Sequence, residues 1–509
     1  MIQWRSVVHD AFETGPYRRL LFTRRRWALW SVAVLLMGAA GLAGGQLLAE
    51  MGVIVVAALV AGLVAVVLMV RDIEMAYVAV VVVVALFPHG ALPFKIGFTP
   101  TFLDLALIGL YGVWVLTRLV GDDEPFVSTS VGGPVLAFAL LAVVAFVAGL
   151  SHGALTSYLI RHFAEILMSI GLFFVVVNSV RAAERLRRLV RWLVLLTAAA
   201  AAVGLVLYFL PEDFVIRALS ALARFGYPTG PGVIWHIRDD PTLMKRATGT
   251  SVQPNVLGSL LSFGLAMLAP QLVAKRPIFP RVVTMALGGL IGACLVLTVS
   301  RSAMFGAAMA VTVIAAMRYR KFLVLLALAA AVVLVAPWTQ EMLNHFVEGF
   351  RGEDLSTKMR FGEYKDTLTL IRRYPFLGVG FSGAPDIDIY VAVASLYLII
   401  AAQMGIAGLL AFLVIIAVVL VRFWQNRHVV RRHPEIESLW YGVHAAIVGG
   451  VVSGVFDHYF FSLEFHHSVV LFWLVVGLAT AATELVLQAE AAQPSGSAAG
   501  DGADTLRGV

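Results

Sequence analysis

Arg301 has the surroundings that best fit chemistry on an anionic substrate. It stands between Ser300 and Ser302 in a very short connection that joins two long apolar stretches. Membrane topology does not require a cation there, and a guanidinium presents a fork of N–H donors that matches phosphate oxygens. We therefore interpret Arg301 and the two serines as a phosphate-binding group. The alternative is an arginine that extends to lipid headgroups.

Two more arginines extend this hypothesis. Arg360 shares one helical face with Tyr364 by i, i+4 spacing within a long polar segment. In a purely structural role it would be a solvated cation paired with Glu363 at i+3. Arg246 lies shortly before Pro254, where another apolar stretch begins. It is either a third phosphate contact or a residue that marks the headgroup level.

The segment 378–383 (GVGFSG) has the spacing of a dinucleotide-binding loop, G-x-G-x-x-G. That loop binds phosphate between a strand and a helix of a βαβ unit, and the sequence predicts no such unit here. We interpret Gly378 and Gly380 instead as residues that let the backbone turn and pass close to a substrate or a membrane surface. No cofactor is expected.

Two groups of histidines are weaker candidates. His162 and Glu165 lie one helical turn apart, and a buried pair is the preferred interpretation. The segment 457–467 (DHYFFSLEFHH) contains enough ligand atoms for a metal, but its spacing matches no metal-binding signature. We expect no metal, and we retain His458 as a residue that contacts the substrate.

The composition indicates that these residues are held by membrane-spanning helices. Hydrophobic residues make up 60% of the chain and charged residues only 14%, against about 25% charged in soluble domains. Stretches long enough to cross about 30 Å of hydrocarbon recur along the sequence. They lie near 27–48, 52–70, 75–88, 102–118, 132–150, 159–180, 192–210, 254–272, 282–299, 303–317, 322–336, 392–421, 437–456 and 467–486. We predict an all-α, polytopic membrane protein with about 12–14 transmembrane helices.

Lysine and arginine in the connections predict the orientation. With the N-terminus in the cytoplasm, basic segments lie inside, both termini are cytoplasmic, and the long segments 211–252 and 337–391 lie outside. The second of these is expected to be a large helical loop. The net charge of +7 then reflects orientation and contact with anionic lipids, and no nucleic-acid partner is expected.

The same pattern predicts the domain organisation. Residues 1–26 form a basic cytoplasmic arm, residues 27–486 form the transmembrane domain with its outer loops, and residues 487–509 form a disordered cytoplasmic tail.

Three stretches together resemble the O-antigen ligase and O-antigen polymerase superfamily of bacterial inner-membrane glycosyltransferases. They are 246–258 (RATGTSVQPNVLG), 297–303 (LTVSRSA), and 359–380, which begins MRF and ends PFLGVG and is followed by the glycines of 405–408 (GIAG). The resemblance covers roughly residues 245–410, and the helix count fits the whole chain.

The resemblance implies a metal-independent transfer on the periplasmic side of the inner membrane. The donor would be a glycan linked through diphosphate to undecaprenol, and the acceptor a hydroxyl of another glycan or of a glycolipid. Arg301 and Arg360 would bind the donor diphosphate, which agrees with the interpretation from the residues themselves.

The sequence departs from the ligase pattern at one position. Ligases have a His-Asn pair before the span that follows the large loop, and here Ala394 and Ser395 stand in its place. We therefore favour a polymerase of surface or exopolysaccharide repeat units over a ligase that attaches glycan to lipid A–core. A transporter of lipid-linked glycans is the second alternative. The general base is expected to be Asp386 or Asp388; the other candidates are Glu363, Asp366 and His458.

Overall fold

The computed structural model describes residues 53–95, 98–120, 125–335, 355–382 and 393–492. They are 76% helical with almost no sheet, which confirms the predicted all-α class. The helices are α1 (Val53–Arg71), α2 (Ile73–Leu86), α3 (Phe102–Val120), α4 (Gly132–Gly149), α5 (Ser157–Ser179), α6 (Ala183–Phe209), α7 (Glu212–Ser220), α8 (Pro254–Leu268), α9 (Arg281–Leu297), α10 (Arg301–Met317), α11 (Lys321–Val335), α12 (Leu355–Arg373), α13 (Leu396–Asn426), α14 (Pro434–Ser453) and α15 (His466–Ala491). The described residues from Leu68 onward belong to one compact unit.

The short regular elements lie in the connections. An antiparallel pair of strands, β1 (Trp235–His236) and β2 (Lys245–Arg246), pairs Trp235 with Arg246. Single 3-10 turns occupy Ala223–Phe225, Pro231–Val233, Ile237–Asp239, Gly249–Ser251, Ala269–Leu272, Val430–Arg432 and Tyr459–Phe461.

The helices confirm a multi-pass membrane protein. By length and composition, seven helices of the described residues can cross a membrane: α3, α4, α5, α6, α8 extended to Leu272, α13 and α15. Each predicted span from 52–70 to 467–486 overlaps a helix, and the predicted span 27–48 lies outside the described residues. Several apolar helices, α2, α9 and α10 among them, are shorter than the hydrocarbon core is thick.

Helix α15 is the most deeply buried element. It is apolar around its whole circumference, and Trp473 and Phe472 are each 1% exposed. A helix of that kind needs neighbours on every side. Helix α5 packs closely against it, because a side chain at Gly477 would meet Val176 at 2.8 Å.

Helices α10 and α14 cross at two glycines. A Cβ at Gly306 would lie 2.6 Å from the carbonyl oxygen of Gly449, and a Cβ at Gly449 would lie 2.8 Å from that of Gly306. Small residues allow membrane helices to approach in this way. The crossing holds Arg301, the first residue of α10, near the segment that follows Ser453, the last residue of α14.

Helix α13 is interrupted at Gly405, whose φ is 68°. The segment after α12 fills the break: the Val379 and Gly380 amides donate to the carbonyls of Ala402 and Gln403, at 2.8 and 3.0 Å. These bonds satisfy carbonyl groups that the break would leave unpaired. They fix the position of the C-terminal end of α12, the helix that contains Arg360.

Candidate functional site

Arg301 is presented by a strained turn between α9 and α10. Val299 has a φ of 50°, which is costly for a β-branched residue. The Thr298 hydroxyl accepts a hydrogen bond from the Ser300 amide at 3.2 Å, and the two serine hydroxyls lie 3.2 Å apart. The turn directs Arg301 into a cavity that Ser302 also lines.

Arg246 reaches the same cavity from the β1–β2 hairpin. Its Nε donates to the carbonyl of Thr298 at 2.9 Å, and its Nη2 donates to Oδ1 of Asn255 at 2.7 Å. The Ala247 amide also donates to Leu297 at 2.8 Å. The hairpin is thereby bound to the turn that presents Arg301.

Helix α12 supplies Arg360 and Glu363, and both side chains line the cavity. Glu363 Oε2 accepts a hydrogen bond from the Ala394 amide at 3.2 Å, and the Tyr364 hydroxyl donates to the Ala394 carbonyl at 3.1 Å. Ala394 lines the cavity as well. Glu363 is thus the carboxylate adjacent to the position that histidine occupies in the ligase pattern.

Asp457 joins two of these segments from behind the cavity. Its Oδ1 lies 3.6 Å from Arg360 Nη2, and its Oδ2 accepts a hydrogen bond from the Ser302 hydroxyl. The side chain is 5% exposed. Arg360 therefore pairs with buried Asp457, whereas the purely structural alternative had paired it with Glu363.

The cavity has a volume of about 290 Å³. Its described lining residues are Trp235, His236, Arg238, Asp239, Arg246, Gln253, Asn255, Val299, Arg301, Ser302, Met359, Arg360, Glu363 and Ala394. They come from four separate segments, and arginine is the most frequent residue type among them. Such a lining is suited to a compact polyanion such as a diphosphate.

Burial changes the protonation of several groups outside the spans. Burial, together with the neighbouring charge of Arg301, lowers the pKa of Arg246 to about 10, so Arg246 remains a cation at neutral pH. Burial raises the pKa of Glu363 above the ordinary value of 4.5. Burial also raises the pKa of Asp457, although Arg360 opposes that shift. The raised pKa of Glu363 brings this carboxyl closer to the range in which a general base works best.

The structure brings together part of the predicted site. Arg246, Arg301, Ser302 and Arg360 line the cavity. Ser300 and Tyr364 are not among the described residues that line the cavity. The Ser300 hydroxyl lies within hydrogen-bond distance of the Ser302 hydroxyl, and the Tyr364 hydroxyl donates to the Ala394 carbonyl. Both lie directly behind the lining.

His458 and the two glycines also lie away from the lining. The His458 ring packs against Tyr459 and Phe465, with centroid distances of 4.9 and 6.1 Å. Burial lowers the pKa of His458 to about 4, so this ring is neutral at pH 7.

Gly378 and Gly380 have φ angles of 67° and 78°, as expected for a turn. Their Cα atoms face protein backbone, because added Cβ atoms would lie 2.3 Å from the Ala402 oxygen and 2.4 Å from the Cα of Gly149, respectively. They therefore serve helix packing. Asp386 and Asp388, the expected bases, lie outside the described residues.

Asp457 and Arg238 are site residues that the sequence interpretation missed. Arg238 lies at the tip of the β1–β2 hairpin with a φ of 58°. Asp457 is separated by more than 90 positions from Arg360, its partner in the ion pair. An isolated aspartate at the end of a predicted span was the available signal, and it is a weak one.

Comparison with known proteins locates the family likeness in the same region. No curated protein matches the chain. Residues 286–413 match a protein family described as O-antigen ligase. The matched range includes Arg301, Arg360 and Glu363, and it excludes Arg246 and Asp457. Over these residues the match confirms the predicted resemblance to the O-antigen ligase and O-antigen polymerase superfamily.

Proposed function

We propose that this protein transfers a glycan from an undecaprenyl-diphosphate-linked donor to a sugar hydroxyl on the periplasmic side of a bacterial inner membrane. In this proposal it polymerises the repeat units of a surface polysaccharide. The observation that carries the proposal is the convergence of Arg246, Arg301 and Arg360 on one small cavity inside a multi-pass membrane protein. A lipid-linked diphosphate is the anion that such a cavity can meet at a membrane surface.

The arginines would act on the leaving group. During transfer the bond between the anomeric carbon and the diphosphate oxygen breaks, and negative charge grows on the departing undecaprenyl diphosphate. Guanidinium groups fixed in advance around that charge stabilise the transition state more than the ground state. This role requires no cofactor.

Glu363 would accept the proton of the acceptor hydroxyl while its oxygen forms the new bond to the anomeric carbon. The assignment is supported by the place of Glu363 in the cavity lining, its bond to Ala394 and its raised pKa. The cavity volume of about 290 Å³ is at the lower end of small-molecule sites, about 300–1,000 Å³. It would hold the diphosphate and the reacting sugar, while the remaining glycan extends outward.

A ligase is the second candidate, because the matched family is described as O-antigen ligase. The two reactions share the donor and differ in the acceptor. Ala394 lines the cavity where the ligase pattern has histidine, and this favours the polymerase. A transporter of the same lipid would need no base, so the position of Glu363 disfavours that alternative.

The lipid-linked glycans of cells that lack this protein test the proposal. Carrier lipids from mutant and complemented cells are resolved by mass. Single repeat units should accumulate on the carrier if the protein is a polymerase. Accumulation of long chains on the carrier would instead indicate a ligase, and an unchanged profile would reject both reactions.

A further inference from the structure

A second cluster of ionisable side chains lies at the N-terminal ends of three helices. Asp104 is in the first turn of α3, Glu165 is in the third turn of α5, and His466 is the first residue of α15. One ligand atom from each of the three side chains lies within 4.8 Å of the others, and all three residues are buried. From this geometry we propose that Asp104, Glu165 and His466 bind a divalent transition-metal ion such as Zn²⁺.

His466 supplies the observation that points to a ligand. The residue is 8% exposed, and neither ring nitrogen has a hydrogen-bond partner among the described residues. Oδ1 of Asp104 is likewise buried without a partner in the described part of the chain. Buried polar atoms are nearly always satisfied. Unsatisfied atoms that face one another therefore indicate a group that bonds to all of them.

The distances fit one ion. His466 Nδ1 lies 3.8 Å from Asp104 Oδ1 and 3.8 Å from Glu165 Oε2. Zinc bonds to nitrogen and oxygen are about 2.0–2.2 Å, which separates two ligand atoms by about 3.3–3.8 Å for angles between tetrahedral and trigonal. The third separation, between the two carboxylates, is at most 4.8 Å, so the side chains would move inward to bind one ion.

Arg161 leaves these atoms free to bind an ion, and His162 shares one of them, Oε2 of Glu165. Arg161 binds the opposite carboxylate oxygens, with Nε 2.9 Å from Glu165 Oε1 and Nη2 3.3 Å from Asp104 Oδ2. His162 Nδ1 lies 2.8 Å from Glu165 Oε2, which confirms the predicted His162–Glu165 pair. A histidine N–H bonded to a ligating carboxylate is a common way to orient a metal ligand.

The charge balance favours a cation. Among the described residues, these two buried carboxylates face a single arginine, Arg161, and buried negative charge is normally paired or bound to metal. An imidazole with two carboxylates suits Zn²⁺ or a similar transition ion, whereas Mg²⁺ and Ca²⁺ prefer oxygen ligands alone. The sequence predicted no metal. The three proposed ligands come from three different helices, so no spacing of residues in the sequence could indicate them.

The test uses full-length protein purified in detergent without a polyhistidine tag. It is stripped with EDTA, equilibrated with Zn²⁺ and passed through a desalting column before metal analysis. Wild-type protein should retain a single zinc per chain, and Glu165→Gln and His466→Gln should lose most of it. Glu484→Gln is the matched control, because Glu484 lies on α15 and pairs with Arg422 at 3.2 Å.

A second measurement uses only the wild-type protein, so it does not depend on whether a variant folds. Zinc-edge X-ray absorption of the wild-type protein should show an imidazole nitrogen among oxygen ligands, and Co²⁺ should give visible d–d absorption. The proposal is overturned if wild-type protein retains no zinc, if the absorption spectrum contains no imidazole, or if folded Glu165→Gln and His466→Gln proteins hold as much zinc as Glu484→Gln. The readouts do not depend on glycan transfer.

Discussion

Arg360 Nη2 lies 3.6 Å from Oδ1 of Asp457, and the other oxygen of that carboxylate accepts a hydrogen bond from the Ser302 hydroxyl. One buried aspartate thus connects helix α12 with the first turn of α10. Asp457 is absent from the described lining of the cavity. We infer that it orients Arg360 and Ser302 and does not itself contact the donor.

The first prediction concerns this aspartate. Asp457→Asn keeps the size of the side chain and removes the charge that holds Arg360. Hydrogen bonds to charged groups contribute about 1.5–3 kcal/mol, so we expect kcat/KM for the donor to fall about 10- to 100-fold. Steady-state kinetics of detergent-purified protein measure the change. Ser302→Ala should have a smaller effect, and an unchanged kcat/KM in Asp457→Asn would remove the orienting role.

The second prediction concerns the arginines of the cavity. Arg301→Ala and Arg360→Ala should each abolish product, because an alanine leaves the growing charge of the diphosphate uncompensated. Arg301→Lys should retain weak activity, since lysine keeps the charge and loses the bidentate geometry. Product is measured in membranes with equal protein levels. Arg372→Ala is the control, because Arg372 is an exposed cation near the end of the same helix as Arg360 and should be dispensable.

The third prediction concerns the proton acceptor. Glu363→Gln should reduce kcat about 10²- to 10⁴-fold, the usual contribution of a general base. Only the deprotonated carboxylate accepts a proton, so wild-type activity should rise with pH through the pKa of Glu363. Since that pKa is raised above 4.5, the acidic limb of the profile should lie above this value. A pH–rate profile of the wild-type protein locates it.

Three further variants separate Glu363 from the other candidate bases. Asp366 lies on the same helix and does not line the described cavity, so Asp366→Asn should be nearly as active as wild type. Asp386→Asn and Asp388→Asn test the bases that the sequence favoured. Loss of the acidic limb in either of these, with Glu363→Gln active, would reassign the base.

The fourth prediction concerns the backbone that supports α12. Gly378→Ala places a Cβ 2.3 Å from the Ala402 carbonyl oxygen at a φ of 67°. The left-handed conformation alone costs alanine about 1–2 kcal/mol, so the Tm of the purified protein should fall clearly. Gly362 lies in α12 with no described atom within 4 Å of an added Cβ. Gly362→Ala should therefore match or exceed the wild-type Tm, and equal Tm values for both variants would contradict the packing role.

The sequence was sufficient for the all-α membrane class because hydrophobic length acts locally along the chain. The apolar stretches at 102–118 and 467–486 became α3 and α15 with small shifts at their ends. Arg301 was accessible to the same reasoning, since a cation within an apolar stretch is costly and stands out. The prediction that Arg360 belongs to the site rested on helical spacing together with family resemblance.

The remaining features depend on contacts between distant segments. The partners Arg360 and Asp457 lie on opposite sides of α13 and α14 in the sequence, and no spacing rule connects them. Gly378 and Gly380 matched a ligand-binding pattern, and their function in helix packing became visible only with the break at Gly405. The sequence pattern at a helix end is the same whether the residues there contact a ligand or a neighbouring helix.

The most direct test of the central claim is turnover by the purified protein in detergent, where no membrane separates two compartments. Undecaprenyl-diphosphate-linked repeat units are supplied, and released undecaprenyl diphosphate and lengthened glycan are quantified by mass spectrometry. Wild-type protein should release one undecaprenyl diphosphate for each new bond between repeat units, and Arg301→Ala should form neither product. Release of no undecaprenyl diphosphate by the wild-type protein, or equal release by Arg301→Ala, would contradict the proposed transfer at this cavity.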